Sequence, residues 1–134
     1  RILPELQLRI PGETRTEYGS FFTRIISNEN QPIEQKKYTK WLDYDKITAG
    51  ILLRGRKPGD YLTVNRQGGR KKLKTYFMEE KIPVDQRKGV WLLTCGEEVI
   101  WVVGHRISEA YKVGKNTREI LEITYKEAAS WQNI

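Results

Sequence analysis

Eight cationic side chains, Arg54, Arg56, Lys57, Arg66, Arg70, Lys71, Lys72 and Lys74, fall within 21 residues whose single carboxylate is Asp60. This window carries +7, which equals the net charge of the whole 134-residue chain. Residues 1–53 carry +1 and residues 75–134 carry −1. Neighbouring like charges repel by about a few tenths of a kcal/mol per pair, even when exposed. A polyanion that releases counterions on docking offsets that repulsion. The competing reading is a solvated basic face that only keeps the chain soluble. Either way, the chemistry available here is anion binding.

Bond-making chemistry finds little support. The lone Cys95 excludes an internal disulfide and a cysteine-rich metal site, and the lone His105 excludes two-histidine mechanisms. Cys95 lies in an apolar run, where cysteine behaves as a small buried hydrophobe. Glu79-Glu80 and Glu97-Glu98 read as solvated charges at a helix end and a hairpin turn. Gly114-Lys115-Asn116 lacks both the first glycine and the final hydroxyl of a phosphate loop. No catalytic or metal constellation is expected.

The elements that position the cations read mostly as short strands. Leu6–Ile10 alternates apolar and polar residues and stops at Pro11-Gly12. Phe21–Ile26, Tyr38–Leu42, Ile51–Leu53 and Tyr61–Val64 also read as strands, with a loop over Asn28–Gln35. Pro58-Gly59 suits a type II turn, with Asp60 capping it or pairing with an arginine. Val90–Cys95 and Val99–Val103 form a buried hairpin about Gly96, and Ile120–Tyr125 is the last strand. The tail from Lys126 is read as helical or frayed. Leu73, Tyr76 and Phe77 form one apolar stripe, which predicts a helix over 70–81, ended by Ile82-Pro83. Arg70, Lys71, Lys72 and Lys74 would then crowd the first helical turn, where a phosphate on Gly68-Gly69 would relieve them.

The fold expected is α+β: one strand-rich domain with a single main helix at about 70–81. No stretch is long and apolar enough for a membrane-spanning helix. Arg1 is not a natural start, since the only methionine is Met78; a cut-out domain or a processed product is expected.

The series Arg54-Gly55-Arg56-Lys57-Pro58-Gly59-Asp60, Gly69-Arg70-Lys71-Lys72-Leu73-Lys74-Thr75-Tyr76-Phe77 and Lys81-Ile82-Pro83 resembles the C-terminal domain of bacterial tRNA(Ile)-lysidine synthetases. Arg87, Trp91-Leu92-Leu93, Trp101–Ser108, Tyr111-Lys112-Val113, Thr117 and the upstream Lys40–Ile47 continue the resemblance in order. It covers roughly 38–125, so residues 38–134 are taken as the family's domain and 1–37 as N-terminal strands or lead-in.

The resemblance implies a β-sandwich-like core and an accessory role in gripping the tRNA acceptor stem. It implies a cytoplasmic parent ligase that uses ATP and magnesium to join lysine to the wobble cytidine of the isoleucine tRNA with a CAU anticodon. The family's Ser-Gly-Gly-x-Asp-Ser ATP loop is missing here, so this chain is expected to be inactive and to hold no cofactor or metal. Expected partners are that tRNA and the parent's own N-terminal catalytic domain, with homodimer formation through the parent left open. Arg54, Arg56, Lys57, Arg70, Lys71, Lys72, Lys74, Arg87 and Arg106 are the expected RNA contacts. Tyr61 and Trp91 are expected in the core rather than stacked on a base. The alternative function is a protein-interaction module that packs on a catalytic domain or subunit without touching RNA.

Overall fold

The computed structural model describes residues 1–33 and 36–129. Ten strands and one α-helix follow in the order β1 (Leu6–Gln7), β2 (Gly12–Arg15), β3 (Gly19–Ser27), β4 (Thr39–Asp43), β5 (Leu52–Arg54), β6 (Tyr61–Thr63), β7 (Arg70–Lys72), α1 (Leu73–Glu79), β8 (Leu92–Cys95), β9 (Glu98–Val102) and β10 (Glu119–Glu127). They build a six-stranded sheet, β1-β5-β8-β9-β6-β7, and a four-stranded sheet, β2-β3-β10-β4. Every pairing is antiparallel except β6 with β9.

The expected β8–β9 hairpin is the middle of the six-stranded sheet, and its two faces serve two cores. Leu53, Leu93 and Trp101 lie in register and pack toward the four-stranded sheet, against Phe21, Leu42, Leu121, Ile123 and Tyr125. Leu92 and Val102 pair on the other face and meet Leu73, Tyr76, Phe77 and Ile82 from α1 and its exit. The layers are therefore helix, sheet, sheet. A bulge after Leu93 leaves Ile100 unpaired, so Ile100 and Trp101 both reach the larger core. β3 pairs with β10 from Gly19 to Ser27, so the N-terminal strands share that core.

Three expectations need correction. Leu6–Ile10 is not one strand: the ladder stops at Gln7, and the chain crosses from one sheet to the other. Pro11-Gly12 is the corner of that crossing. Thr23 fixes it by accepting the Gly12 N–H (3.1 Å) and donating to the Arg9 carbonyl (2.7 Å). The helix is also shorter than 70–81. Asn65 Oδ1 accepts the N–H groups of Gln67 and Gly69 (3.1 and 2.9 Å), closing a loop that sends the chain back beside β6. Arg70–Lys72 then pair with Tyr61–Thr63 as an edge strand, and helix begins only at Leu73. Its other end is a Schellman cap: Ile82 N–H reaches Phe77 O (3.1 Å), Lys81 N–H reaches Met78 O (3.1 Å), and Lys81 adopts φ 56°. Lys126 and Glu127 complete β10, while residues 130–134 of the expected tail lie outside the described residues.

Candidate nucleic-acid interface

The basic window folds as a strand end, a tight turn, a returning strand and an edge strand that runs into α1. The turn is type II in its bonding and glycine use: Asp60 N–H reaches Lys57 O (3.3 Å), and Gly59 has φ +91°. A side chain at Gly59 would be strained by that backbone and would press on the Glu97 carboxylate. Asp60 is buried beneath the turn. Its carboxylate accepts two parallel hydrogen bonds from Arg54, both 2.8 Å, and a third from the Lys57 N–H at 2.8 Å. Asp60 therefore both caps its turn and pairs with an arginine.

Burial removes Arg54 from the expected RNA contacts. Its side chain is 5% exposed, and its two terminal nitrogens, besides holding Asp60, donate to Gly55 O (2.9 Å) and Gly96 O (3.0 Å).

Four other predicted contacts converge. Arg56 and Lys57 form one wall of a cleft of about 450 Å³, and Lys72 and Lys74 flank its other wall about Leu73. Lys57 also meets Glu5 (2.9 Å), an exposed pair that a phosphate can displace. On its outer side Arg56 and Lys57 border a second groove with Lys88, beside the N-terminal segment of Arg1, Ile2, Leu3 and Glu5.

The other predicted contacts do not join that cleft. Strand alternation turns Lys71 away from Lys72, and Lys71 pairs with Glu79 at 2.5 Å. It borders a separate polar cleft of about 420 Å³ with Lys40, Tyr76, Glu80, Arg106 and Lys112. Arg106 there lies 3.7 Å from Glu109 and donates to Ile107 O (3.3 Å). Arg87 donates to Ile82 O (2.9 Å) from the 3₁₀ turn after α1. Arg70 is exposed, with its guanidinium 4.2 Å from the Tyr61 ring centroid. Trp91 is 1% exposed and meets Phe21 edge-on, so it stacks on no base. The nine expected contacts thus divide into two clefts, one buried arginine and two flanking arginines.

The short helix also withdraws the phosphate site expected at its start. Arg70 and Lys71 are strand residues and Lys72 is the cap, so they do not crowd a helical turn.

Sequence reasoning overlooked Lys40, Lys88 and Lys112. Lys40 was legible, because alternation from the inward-facing Leu42 puts it on the same side of β4. Burial pulls its ammonium below the usual lysine range. Lys88 and Lys112 reach their clefts only through the tertiary fold.

Cys95 packs against the larger core, and His105 sits in the turn after β9 with its N–H on Val102 O (2.8 Å). Among the described residues no group of three or more His, Cys, Asp or Glu converges as a metal site. Fold and site together define a two-sheet α+β domain with a helix on its back and a cationic cleft at its edge.

The chain belongs to the TilS substrate C-terminal domain family, whose profile matches residues 51–123. It is 40% identical over 120 residues to a tRNA(Ile)-lysidine synthase of Caldanaerobacter subterraneus subsp. tengcongensis, covering 88% of this chain and 26% of that protein. It is 48% identical over 86 residues to the tRNA(Ile)-lysidine synthase of Clostridium tetani, covering 64% of this chain and 18% of that protein. The chain thus spans about a quarter or less of these relatives. A crystal structure of a TilS C-terminal domain superposes with TM-score 0.77 at 21% identity, over 96% of this chain and 99% of that one, and shares the fold.

Proposed function

We propose that this chain is the accessory tRNA-binding domain of a tRNA(Ile)-lysidine synthetase. The parent would join lysine to the wobble cytidine of the CAU-anticodon isoleucine tRNA in the cytoplasm, using ATP and magnesium held by a catalytic domain outside this chain. The observation that carries the reading is the cleft between Arg56-Lys57 and Lys72-Lys74, four cations whose nearest buried carboxylate is already neutralised by Arg54. A-form RNA hides its base edges in a deep groove, so a protein grips it through phosphates, 2′-hydroxyls and shape. The acceptor stem presents such a surface. Arg56 supplies a planar fork for paired phosphate oxygens, and the lysines act as point charges. Arg70 on Tyr61 and Lys88 in the adjoining groove extend the cationic surface on either side. Against the reading of a pure protein-interaction module, the exposed large apolar side chains among the described residues, Ile2, Phe22, Ile33, Tyr38, Met78 and Val84, are spread over separate segments.

The test is the salt dependence of binding to an in vitro transcribed isoleucine tRNA. Each neutralised phosphate contributes about 0.7–0.9 to the slope of log affinity against log salt, so four give a slope near −3. Affinity that is absent, or flat against salt, overturns the reading.

A further inference from the structure

Among the described residues, Arg54 and Asp60 form a buried ion pair whose side chains share five hydrogen bonds with each other and their surroundings. Their side chains are 5% and 1% exposed. From this buried position the Asp60 side chain bonds to one wall of the cleft, and the Asp60 main chain bonds to the other. The Asp60 carboxylate holds the Lys57 N–H at 2.8 Å, which fixes the wall that carries Arg56 and Lys57. The Asp60 carbonyl accepts the Leu73 N–H at 2.9 Å, which fixes the wall between Lys72 and Lys74. Arg54 Nη2 ties both to the β8–β9 turn through Gly96 O at 3.0 Å.

A buried ion pair is a poor source of stability, because desolvating both charges consumes much of their attraction. Apolar residues of similar volume often serve the fold as well. What the pair does supply is a rigid, planar, two-bond geometry. Phosphates along an RNA strand have fixed spacing, so cations held at a matching separation bind without first being ordered.

We propose that Arg54 and Asp60 are positioning residues that set the separation of the two cationic walls, and so the affinity for a phosphate backbone they never contact. This rests on the tRNA-binding reading above.

The test uses the full chain with Arg54→Met and Asp60→Leu together. The double change removes one charge of each sign, so the net charge stays +7. It leaves no orphaned buried ion. Titrating the isoleucine tRNA transcript across a salt series, we expect thermal stability close to wild type. Affinity should fall at least tenfold, and the slope of log affinity against log salt should flatten by about one or more as Arg56 and Lys57 lose their register. A folded double variant with wild-type affinity and slope overturns the proposal. If the double variant does not fold, Arg54→Lys keeps the charge and loses the fork. A folded Arg54→Lys chain should bind weakly, and wild-type binding by it overturns the proposal. Failure of both variants to fold also overturns it, since the pair would then be required by the fold itself. Wild-type chain that shows no salt-dependent tRNA binding sinks the functional reading first, which separates the two failures.

Discussion

Trp101 and His105 lie four residues apart, and burial acts on them in different ways. Trp101 is fully buried, in register with Leu93, and its indole N–H finds no acceptor. Trp101→Ala should cost about 3–5 kcal/mol, toward the lower end because the orphaned N–H already offsets part of the burial. Thermal melts check this, and an unchanged midpoint would contradict the packing. At His105, burial disfavours the charged imidazolium and lowers its pKa; Lys37 adds to this and Glu80 opposes it. The unfolded chain, with an ordinary histidine near 6.5, then binds the proton more readily than the fold does. Stability is therefore complete above about pH 6.5 and declines as pH falls through that value. Between pH 7.5 and 5.5 the wild-type melting temperature should drop more than that of His105→Gln; equal drops would place the titration elsewhere. At this scale the sequence revealed which residues carried charge but not where the charge pointed. Asp60 was legible as a turn cap or arginine partner, because Pro58-Gly59 defines the turn it closes. Arg54 was not, since a buried ion pair and a phosphate fork use the same residue type.

Among the elements, β7 decides how the basic run divides. In a helix Lys71 and Lys74 would share a face; in the observed strand Lys71 turns to Glu79, while Lys72 and Lys74 join Arg56 and Lys57. Lys72→Ala with Lys74→Ala should thus flatten the salt slope of tRNA binding by about one to two units. Lys71→Ala should change it by well under one, and so should the control pair Lys36→Ala with Lys37→Ala. Equal effects from all three variants would mean that the charge acts diffusely. Stretches with a strong pattern were legible. The hairpin of β8 and β9 showed as two apolar runs about Gly96, and the Leu73, Tyr76, Phe77 stripe located α1. The boundary at Leu73 was not legible, because lysine and arginine prefer helix while pairing with β6 and the Asn65 loop impose a strand. Pro11-Gly12 misled for a related reason: a corner between sheets uses the same residues as a hairpin turn.

Across the whole molecule, three layers enclose two cores, and the polar clefts lie at their margins. The parent's expected ATP loop is missing from this sequence, the Cys95 thiol packs against the larger core, and Glu79 of the second cleft is paired with Lys71. Incubated with ATP, lysine and the isoleucine tRNA, this chain should therefore form no lysidine by nucleoside mass spectrometry; its appearance would defeat the accessory-domain reading. The sandwich itself was not derivable from strand patterns, since two sheets sharing a core differ from one larger sheet only through long-range pairings such as β3 with β10. β7 has one more consequence. It ends the six-stranded sheet, and an exposed sheet edge is a template on which a second chain can pair. Here that template is Arg70, Lys71 and Lys72, so two copies meeting along it would set three cations against three. The strand whose lysines divide between two clefts thereby also guards its own edge against pairing with a second copy, and replacing Arg70, Lys71 and Lys72 with neutral β-formers would remove that protection.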